Sequence, residues 1–348
     1  MKPSLKYSKK QINKAGEVLS GNADHEMSAD EASEILENFR SIHIHPLLSF
    51  RMNLRRKVEK ISNDVLISQR MKRAPSIISK LKIQKKMNLS RMQDIGGLRA
   101  VMNDIDEIYK LKDSIREGEK QVAFKSTLAR EDDYVIKPKE SGYRSLHLVY
   151  KYEKNVDLDK QCRVEIQIRT KIQHAWATAI EVIGTYLRQP LKQSFGNKEI
   201  LDLFKEISKV FMMLENNEID QELFKKVSDK IKEVKLVDLL QGFTVATQMS
   251  IEEDPRVKGR GKYFLISLNF DKRNLSVKRF TATKLDEANK EYSKLEKENR
   301  KNKNFETVLV SVDDIKNLNK LYPNYFLDTS EFLSLIELID KKLASLEK

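Results

Sequence analysis

The sequence predicts an α+β protein with a mixed β-sheet domain flanked by helices, a helical connector and a small α/β C-terminal domain. A chain of 348 residues is longer than one average domain. Two segments near its middle alternate apolar and polar residues with period two, which is typical of strands, whereas residues 197–240 carry apolar residues at spacings of three and four, which favours helices. The domain boundaries that we infer are 1–190, 191–240 and 241–348.

The N-terminal part, to about residue 85, is predicted to be helical. Ser28 is a suitable N-cap, and an apolar stripe follows it at helical spacing. The stripe consists of Ala32, Ile35, Leu36 and Phe39. We expect Pro46 to break this helix and LLSFRMNLRRKVEKI to continue helically.

The two predicted strands are LHLVYKY, residues 146–152, and RVEIQIRT, residues 163–170. In the second strand the apolar residues share one face, and Glu165, Gln167 and Arg169 share the other. A carboxylate beside an amide and a guanidinium is ill suited to a core. The same three groups are well suited to holding a metal ion and a polyphosphate.

The C-terminal domain is predicted to begin near Gly242. KYFLISLNF and NLSVKRFTA form a hairpin across residues 271–274, and FETVLVSV is a third strand. Three segments have helical patterns: LDEANKEYSKLEKENRKN, DDIKNLNKLYP and SEFLSLIELIDKKLASLEK.

The composition restricts the class of protein. A net charge of +13 favours polyanionic partners, although a well-solvated lysine-rich surface explains the charge equally well. Cys162, the one cysteine, excludes an intrachain disulfide and a cysteine-rich zinc site. The N-terminal lysines are not followed by an apolar core, and no apolar run approaches the roughly 20 residues that span a bilayer, so we expect a cytoplasmic protein without membrane contacts.

A basic loop that opens a helix is the first candidate binding element. ISQRMKRAPSIISKLK combines cations, a hydroxyl and a Pro-Ser helix start, which suit phosphate binding, although an ordinary basic helix has the same composition. The second element, QDIGGLRAV, offers Asp94 as a magnesium ligand or as a simple turn residue.

The third element, KPKESGYRSLH, supplies Lys137, Lys139 and Arg144 as cations and Tyr143 as a flat ring on which a base can stack. The fourth, VEIQIRTKIQHAWATAIEV, contains Glu165 together with His174 and Trp176, which also suit packing of a helix on the sheet.

These elements, in this order, resemble the synthetase domain of the RelA/SpoT alarmone-synthetase family from about Ser28 to Leu187, and DIGGLR, SGYRSLH and EIQIRT carry the resemblance. It implies transfer of pyrophosphate from ATP to a ribose hydroxyl with Mg²⁺. Asp94 and Glu165 would hold the metal, and Glu165 would activate the hydroxyl. The implied ATP-binding residues are Arg70, Lys72, Ser76, Lys80 and Arg99, with the two arginines around the adenine. The implied acceptor-binding residues are Tyr143, Lys137, Lys139, Arg144 and His147.

The C-terminal half resembles the antitoxin-like half of fused toxic small alarmone synthetases of the CapRel type. That half is a pseudo-zinc-finger, and this chain has no cysteine after Cys162 and no histidine after His174. The resemblance implies that a Tyr-x-x-Tyr motif blocks the ATP site. LYPNYF supplies Tyr322 and Tyr325, which are otherwise core or turn aromatics.

The expected function is that of an autoinhibited toxin that transfers pyrophosphate to the 3′ CCA end of tRNA in anti-phage defence, with a phage protein such as a capsid protein as trigger. One alternative is a small alarmone synthetase that makes (p)ppGpp from ATP and GDP or GTP. The other is a catalytically silent sensor of a nucleotide or a phage protein. No His-Asp dipeptide is present, which argues against a family hydrolase domain. The sequence leaves the oligomeric state open.

Overall fold

The computed structural model describes most of the chain. The described residues are 4–22, 26–62, 66–118, 126–152, 162–187, 196–245, 248–252, 263–269, 274–299, 305–311 and 328–346, with the single positions 189, 191, 272, 302, 322 and 326. Within them the predicted α+β class is confirmed, and the strands form one mixed sheet with helices on both faces. No helix in this part of the chain has the length and apolar character that crossing a membrane requires.

Three helices open the chain: α1 (Lys9–Ser20), α2 (Ala29–Ser41) and α3 (Ile44–Val58). The predicted N-cap is confirmed, since the Ser28 side chain accepts a hydrogen bond from the Glu31 backbone nitrogen at 3.1 Å. The predicted apolar stripe of α2 is buried. Pro46 does not end a helix: it lies in the first turn of α3, where a missing N–H costs little.

The prediction of continuous helix to residue 85 is wrong at Leu66–Met71, which form strand β1. β1 pairs antiparallel with β2 (Gly96–Met102), with Leu66 opposite Val101 and Arg70 opposite Gly97. Tertiary pairing therefore overrides the local helical tendency. Helix α4 (Ala74–Ile83) follows with Pro75 in its first turn, as the Pro-Ser start predicts.

The other strands of this half are β3 (Ser126–Asp133), β4 (Leu146–Tyr152) and β5 (Arg163–Thr170), with α5 (Ile105–Gly118) before β3 and α6 (Lys171–Tyr186) after β5. β2 and β5 are parallel neighbours, and β4 pairs antiparallel with β5. The connector consists of α7 (Lys198–Glu215), α8 (Gln221–Glu233) and α9 (Leu236–Val245).

The C-terminal strands are β6 (Gln248–Glu252), β7 (Tyr263–Asn269), β8 (Asn274–Phe280) and β9 (Phe305–Ser311). The predicted hairpin is confirmed, with Asn269 opposite Asn274. Helix α10 (Leu285–Glu298) lies between β8 and β9, and α11 (Ser330–Leu346) ends the described chain. The helix expected at DDIKNLNKLYP lies outside the described residues, and the pseudo-zinc-finger stays a prediction.

The two halves share one sheet. In the described residues nine strands run in the order β3-β4-β5-β2-β1-β9-β7-β8-β6. The joint is the antiparallel pairing of β1 with β9, in which Arg70 lies opposite Val310. No local pattern predicts this continuity, because the paired residues Arg70 and Val310 lie 240 positions apart in the chain.

Each face of the sheet carries its own core. On one face a cluster includes residues of α2, α3 and α5 and apolar residues of β2, β4 and β5. On the other a cluster joins α6, α7, α8 and α11 to apolar residues of β7, β8 and β9. Tyr322 belongs to this second cluster.

Candidate active site

The strand register collects the predicted polar residues on one face of the sheet. Arg70 lies opposite Gly97, and Gly97 lies opposite Glu165. Arg99 lies opposite Gln167, which in turn lies opposite His147 of β4. Residues that are paired across neighbouring strands point to the same side. The adenine-clamp, metal and acceptor candidates therefore share one surface.

Asp94 lies between the two lysines of the basic loop. Its Oδ2 atom is 2.9 Å from Nζ of Lys72, and its Oδ1 atom is 3.0 Å from Nζ of Lys80. Burial alone would raise the pKa of Asp94, but the two ammonium groups outweigh it and hold the pKa well below its usual range. Burial also lowers the pKa of Lys72. The cations predicted to bind phosphates are thus partly neutralised by the predicted metal ligand.

Glu165 is at the centre of a hydrogen-bonded chain. Its Oε1 atom lies 3.0 Å from Nδ1 of His147, and its Oε2 atom accepts from Nε2 of Gln167 at 2.8 Å. The Gln167 amide oxygen accepts from Arg169 at 2.7 Å. Burial raises the pKa of Glu165, but the contacts with His147 and Gln167 bring it down to about 2. The carboxylate is therefore ionised at neutral pH.

Tyr143 and His147 are also bonded, with 2.8 Å between the phenol oxygen and Nε2. Burial would lower the pKa of His147, and the neighbouring Tyr143 and Glu165 raise it instead. The Lys139 ammonium lies 5.2 Å from the centre of the Tyr143 ring and 4.4 Å from that of Tyr134. Tyr143 is only 6 % exposed, so a base would have to displace a neighbour to stack on it.

Asp94 and Glu165 are close enough to influence each other, since the charge of Asp94 raises the pKa of Glu165. Two ionised carboxylates on one surface fit Mg²⁺, which usually takes one or two protein carboxylates and completes its shell with phosphates and water. Within the described residues no group of three or more His, Cys, Asp or Glu could hold a metal ion. Two protein carboxylates leave the rest of the magnesium shell to substrate phosphates and water.

Arg99 is buried among like charges. It is 8 % exposed, and its Nε atom has no hydrogen-bond partner among the described residues. Burial, followed by the charges of Arg169 and Arg70, lowers its pKa to about 9. A guanidinium that is desolvated and crowded by cations attracts an anion or a flat π system.

Tyr322 is buried within electrostatic range of Arg99 and Arg70. Its hydroxyl donates to the backbone oxygen of Gln69 at 2.6 Å, and the residue is 2 % exposed. Burial raises its pKa to about 12, while Arg99 and Arg70 act in the opposite direction, which places both arginines within electrostatic range. Tyr325 lies outside the described residues.

Two further residues of the C-terminal half contact the basic loop. Oε1 of Glu296 accepts from the backbone nitrogen of Ala74, the first residue of α4, at 2.8 Å. Glu306 forms a two-pronged ion pair with Arg73, at 2.9 Å and 3.3 Å. A carboxylate at a helix N-terminus is favourable for the same reason that a phosphate is.

Arg40 of α2 fixes Glu296 in place. Its Nη1 atom donates to Glu296 at 2.7 Å, its Nη2 atom to the Tyr292 hydroxyl at 2.8 Å, and its Nε atom to the backbone oxygen of Lys72 at 3.1 Å. The Tyr292 hydroxyl donates to Glu296 at 2.9 Å. α2, α10 and the basic loop are thus joined by one buried network.

The remaining predicted residues are placed as follows. Lys137 and Lys139 are exposed, and Ser76 is partly buried in the first turn of α4. Arg144 is buried and paired with Glu215 of α7. Several residues of these networks were not predicted, among them Arg40, Tyr134, Glu215, Tyr292, Glu296 and Glu306. Nothing in the local pattern distinguishes them from ordinary surface residues, because their partners are distant in the chain.

Comparison with known proteins gives a consistent assignment. The family described as a region found in RelA/SpoT proteins matches residues 69–189. The GTP pyrophosphokinase YjbM of Bacillus subtilis is 38% identical over 117 residues, which are 32% of this chain and 52% of the relative. The GTP pyrophosphokinase YwaC of the same organism is 29% identical over 147 residues, 40% of this chain and 65% of the relative. The chain thus spans about half to two thirds of the length of these relatives.

Among solved structures, small alarmone synthetase 1 from Bacillus subtilis bound to its product pppGpp is similar, with a TM-score of 0.43 and 24% identity over 50% of this chain and 90% of the other. The family match begins within β1 and ends just after α6, and this segment carries Asp94, Tyr143 and Glu165. The chain therefore carries a RelA/SpoT region over residues 69–189.

Proposed function

We propose that the protein is an ATP-dependent pyrophosphokinase whose C-terminal half holds it in a form closed to ATP. The observation that carries the catalytic part is the pair of ionised carboxylates, Asp94 and Glu165, between a cationic loop and the Tyr143–His147 pair. This arrangement supplies a base, positive charge for phosphates and a stacking surface for an acceptor, which are the parts that phosphoryl-type transfer requires.

Glu165 is the group proposed to take the proton. The acceptor hydroxyl attacks the β-phosphorus of ATP and forms a new O–P bond, while the bond from that phosphorus to the oxygen shared with the α-phosphate breaks. AMP leaves with that oxygen, and the hydroxyl proton passes to the Glu165 carboxylate. His147 and Gln167 fix the carboxylate from both sides, which orients its free lone pairs.

Asp94 and Glu165 would hold Mg²⁺, which would neutralise phosphate charge that builds up during transfer. The lysines of the basic loop serve the same purpose. When the triphosphate enters, Lys72 and Lys80 would exchange Asp94 for phosphate oxygens, which leaves Asp94 available as a ligand. In the structure both lysines are paired with the carboxylate that the reaction needs.

The closed form is supported by the residues of the C-terminal half that lie at the proposed ATP-binding residues. Arg99 is buried, and Tyr322 lies within electrostatic range of it. Strand β9 occupies the edge of β1 next to Arg70. Glu296 and Glu306 take the Ala74 N–H and the Arg73 guanidinium, groups that suit phosphate oxygens. An adenine between Arg70 and Arg99 and a triphosphate on α4 would compete with these contacts.

Two classes of acceptor follow from different observations. The names of the relatives favour GDP or GTP. The net charge of +13 favours a nucleic acid, in agreement with the expected transfer to the 3′ end of tRNA. Both present a purine or pyrimidine to Tyr143 and a ribose hydroxyl to Glu165, so the chemistry at the carboxylates is the same.

A partner must open the closed form. Moving an equilibrium from about 1:99 to 99:1 needs a difference of about 5.5 kcal/mol between the partner's affinities for the two forms. A phage protein, such as a capsid protein, is the trigger that the resemblance implies, and its binding would serve this role.

The proposal is tested by label transfer. The protein is incubated with Mg²⁺ and γ-labelled ATP and offered GDP, GTP and deacylated tRNA in parallel. We expect one acceptor to gain the label with release of AMP, and the rate to rise when the C-terminal contacts are removed by substitution. Absence of AMP release and of labelled acceptor in both forms would favour the catalytically silent sensor.

A further inference from the structure

Glu215, the last residue of α7, is a buried carboxylate that the catalytic scheme does not use. One of its oxygens accepts from Nη1 of Arg144, and the other accepts from the Thr170 hydroxyl and from Nε2 of Gln173, at 3.2 Å in the last case. The side chains of Arg144 and Glu215 are 4% and 5% exposed. A buried carboxylate is tolerated only when its lone pairs are satisfied in this way.

The partners of Glu215 lie on two segments of the proposed acceptor site. Arg144 follows Tyr143 in the segment 137–147, which we call the acceptor loop. Thr170 ends β5, the strand that carries Glu165, and caps α6 together with Gln173. Glu215 therefore ties the residue next to the stacking ring to the end of the strand that holds the proposed base.

A second contact from α7 supports the same loop. The Ser208 hydroxyl donates to the backbone oxygen of Gly142 at 2.5 Å. Gly142 has a φ of 87°, and a Cβ atom there would approach the Ser208 Cβ to 3.0 Å. The loop thus bends through a conformation that favours glycine and packs closely on α7.

We propose that Glu215 is a positioning residue for the acceptor, and that Arg144 acts through it rather than by touching the acceptor. The acceptor role of the loop rests on the proposed function. Because the Arg144 guanidinium is buried and bound to Glu215, it anchors the acceptor loop to α7. Loss of the pair would leave a buried charge without its partner and shift Tyr143, and misplacements of about 1 Å can lower a rate about a hundredfold.

α7 is itself firmly held. The rings of Phe204 and Phe332 are stacked at 5.6 Å, and Phe211 also packs on Phe332 at 5.6 Å. Trp176 of α6 donates to the backbone oxygen of Phe204 at 2.8 Å. The helix that carries Glu215 is therefore fixed both to α6 and to the C-terminal helix α11.

The test compares Glu215→Gln with Glu206→Gln. Glu206 lies on the same helix but pairs with Lys226, which is exposed, so its substitution is a matched control. Hydrogen exchange is measured over the acceptor loop and over residues 66–83. We expect exchange in the acceptor loop of Glu215→Gln to be about tenfold faster than in the control, with residues 66–83 unchanged.

Kinetics then separate positioning from general destabilisation. We expect Glu215→Gln to raise the KM for the acceptor that is labelled by about fivefold or more, while the KM for ATP stays within about twofold. Arg144→Gln releases the loop from the other partner and should give the same split. Arg144→Gln also tests the proposal if Glu215→Gln does not fold.

Unchanged exchange in the acceptor loop of folded variants overturns the proposal, as does an equal rise of both KM values. If neither the unsubstituted protein nor a variant without the C-terminal contacts labels GDP, GTP or tRNA, the proposed function fails. Hydrogen exchange still decides in that case whether Glu215 holds the loop.

Discussion

Glu296 of α10 places its Oε1 atom 2.8 Å from the backbone nitrogen of Ala74, so a carboxylate from the C-terminal half occupies the N-terminus of the phosphate-loop helix. The contact is held by Arg40 and Tyr292 and is therefore not an incidental surface contact. A nucleotide phosphate and this carboxylate have the same preference for the end of α4. Glu296 and a nucleotide phosphate would therefore compete for the N-terminus of α4.

Glu296→Gln is expected to strengthen the binding of a non-hydrolysable ATP analogue. An amide does not complement a helix N-terminus as a carboxylate does, and a hydrogen bond contributes about 1 kcal/mol, so the analogue should bind about fivefold more tightly. Calorimetric titration in the presence of Mg²⁺ measures the change. Glu291→Gln is the control, because Glu291 lies on the same helix and pairs with Lys278 instead.

Removal of one partner of the buried Arg40–Glu296 pair also carries a cost in stability. Glu306→Gln avoids it, since the Arg73–Glu306 pair is partly exposed, and it should also strengthen binding of the analogue. Weaker binding in both folded variants would mean that the carboxylates support the loop and do not compete with phosphates.

Asp94→Asn and Glu165→Gln are each expected to abolish pyrophosphate transfer. Loss of a metal-binding carboxylate should lower the turnover number by about a thousandfold or more. The two variants should differ in ATP binding, since Asp94→Asn also frees Lys72 and Lys80 from their ion pairs. Single-turnover assays with labelled ATP, beside circular dichroism for folding, check this. Near-normal turnover in either variant would remove that carboxylate from the mechanism.

Tyr143→Ala should lose most of the transfer activity, and Tyr143→Phe should retain more of it. The ring provides the stacking surface, worth about 1–3 kcal/mol for a base, whereas the hydroxyl bonds to His147. If tRNA is the acceptor, the rate should also fall steeply between low and moderate salt. If GDP or GTP is labelled at a rate that does not depend on salt and tRNA is not labelled, the acceptor is a guanine nucleotide.

His43 predicts a dependence of stability on pH. It is buried, its Nδ1 atom bonds to the Phe39 backbone oxygen at 2.8 Å, and burial lowers its pKa to about 4. Between pH 6.5 and pH 4 an unfolded histidine, with a pKa of about 6.5, binds a proton, whereas the folded one stays neutral. The free energy of unfolding is therefore unaffected by His43 above pH 6.5 and falls as the pH drops towards 4, by up to about 3 kcal/mol. Urea unfolding at pH 7.5 and pH 5 measures the loss, which His43→Leu should reduce.

The sequence revealed those parts of the site that have a local pattern. Period-two alternation placed Glu165 and Gln167 on one face of a strand, and the structure bonds them to each other. The local pattern does not predict strand β1, because its basic residues and the helix that follows it favour a helix. The strand is defined by its pairing with β2, which is distant in the chain. The Ala74–Glu296 bond joins residues 222 positions apart, and no local pattern encodes such a contact.

Tyr322 tests the closed form most directly. Its ring is buried within electrostatic range of Arg99 and Arg70, and its hydroxyl bonds to the Gln69 backbone oxygen at 2.6 Å. If the ring excludes adenine, Tyr322→Ala should raise transfer activity, and together with Tyr325→Ala it should make the chain toxic to a host without phage. Tyr322→Phe keeps the ring and loses only the hydrogen bond, so it should stay close to the unsubstituted protein.

The measurement pairs growth on induction with label transfer by the purified variants. Addition of Glu165→Gln to the double tyrosine variant should restore growth, because toxicity would require transfer. Tyr322 also belongs to a hydrophobic core, so the melting temperature of each variant is measured in parallel. A double variant that stays folded, gains no transfer activity and leaves growth unaffected would assign Tyr322 to packing alone. If the ring blocked the adenine site, its removal would increase ATP binding and with it the transfer activity.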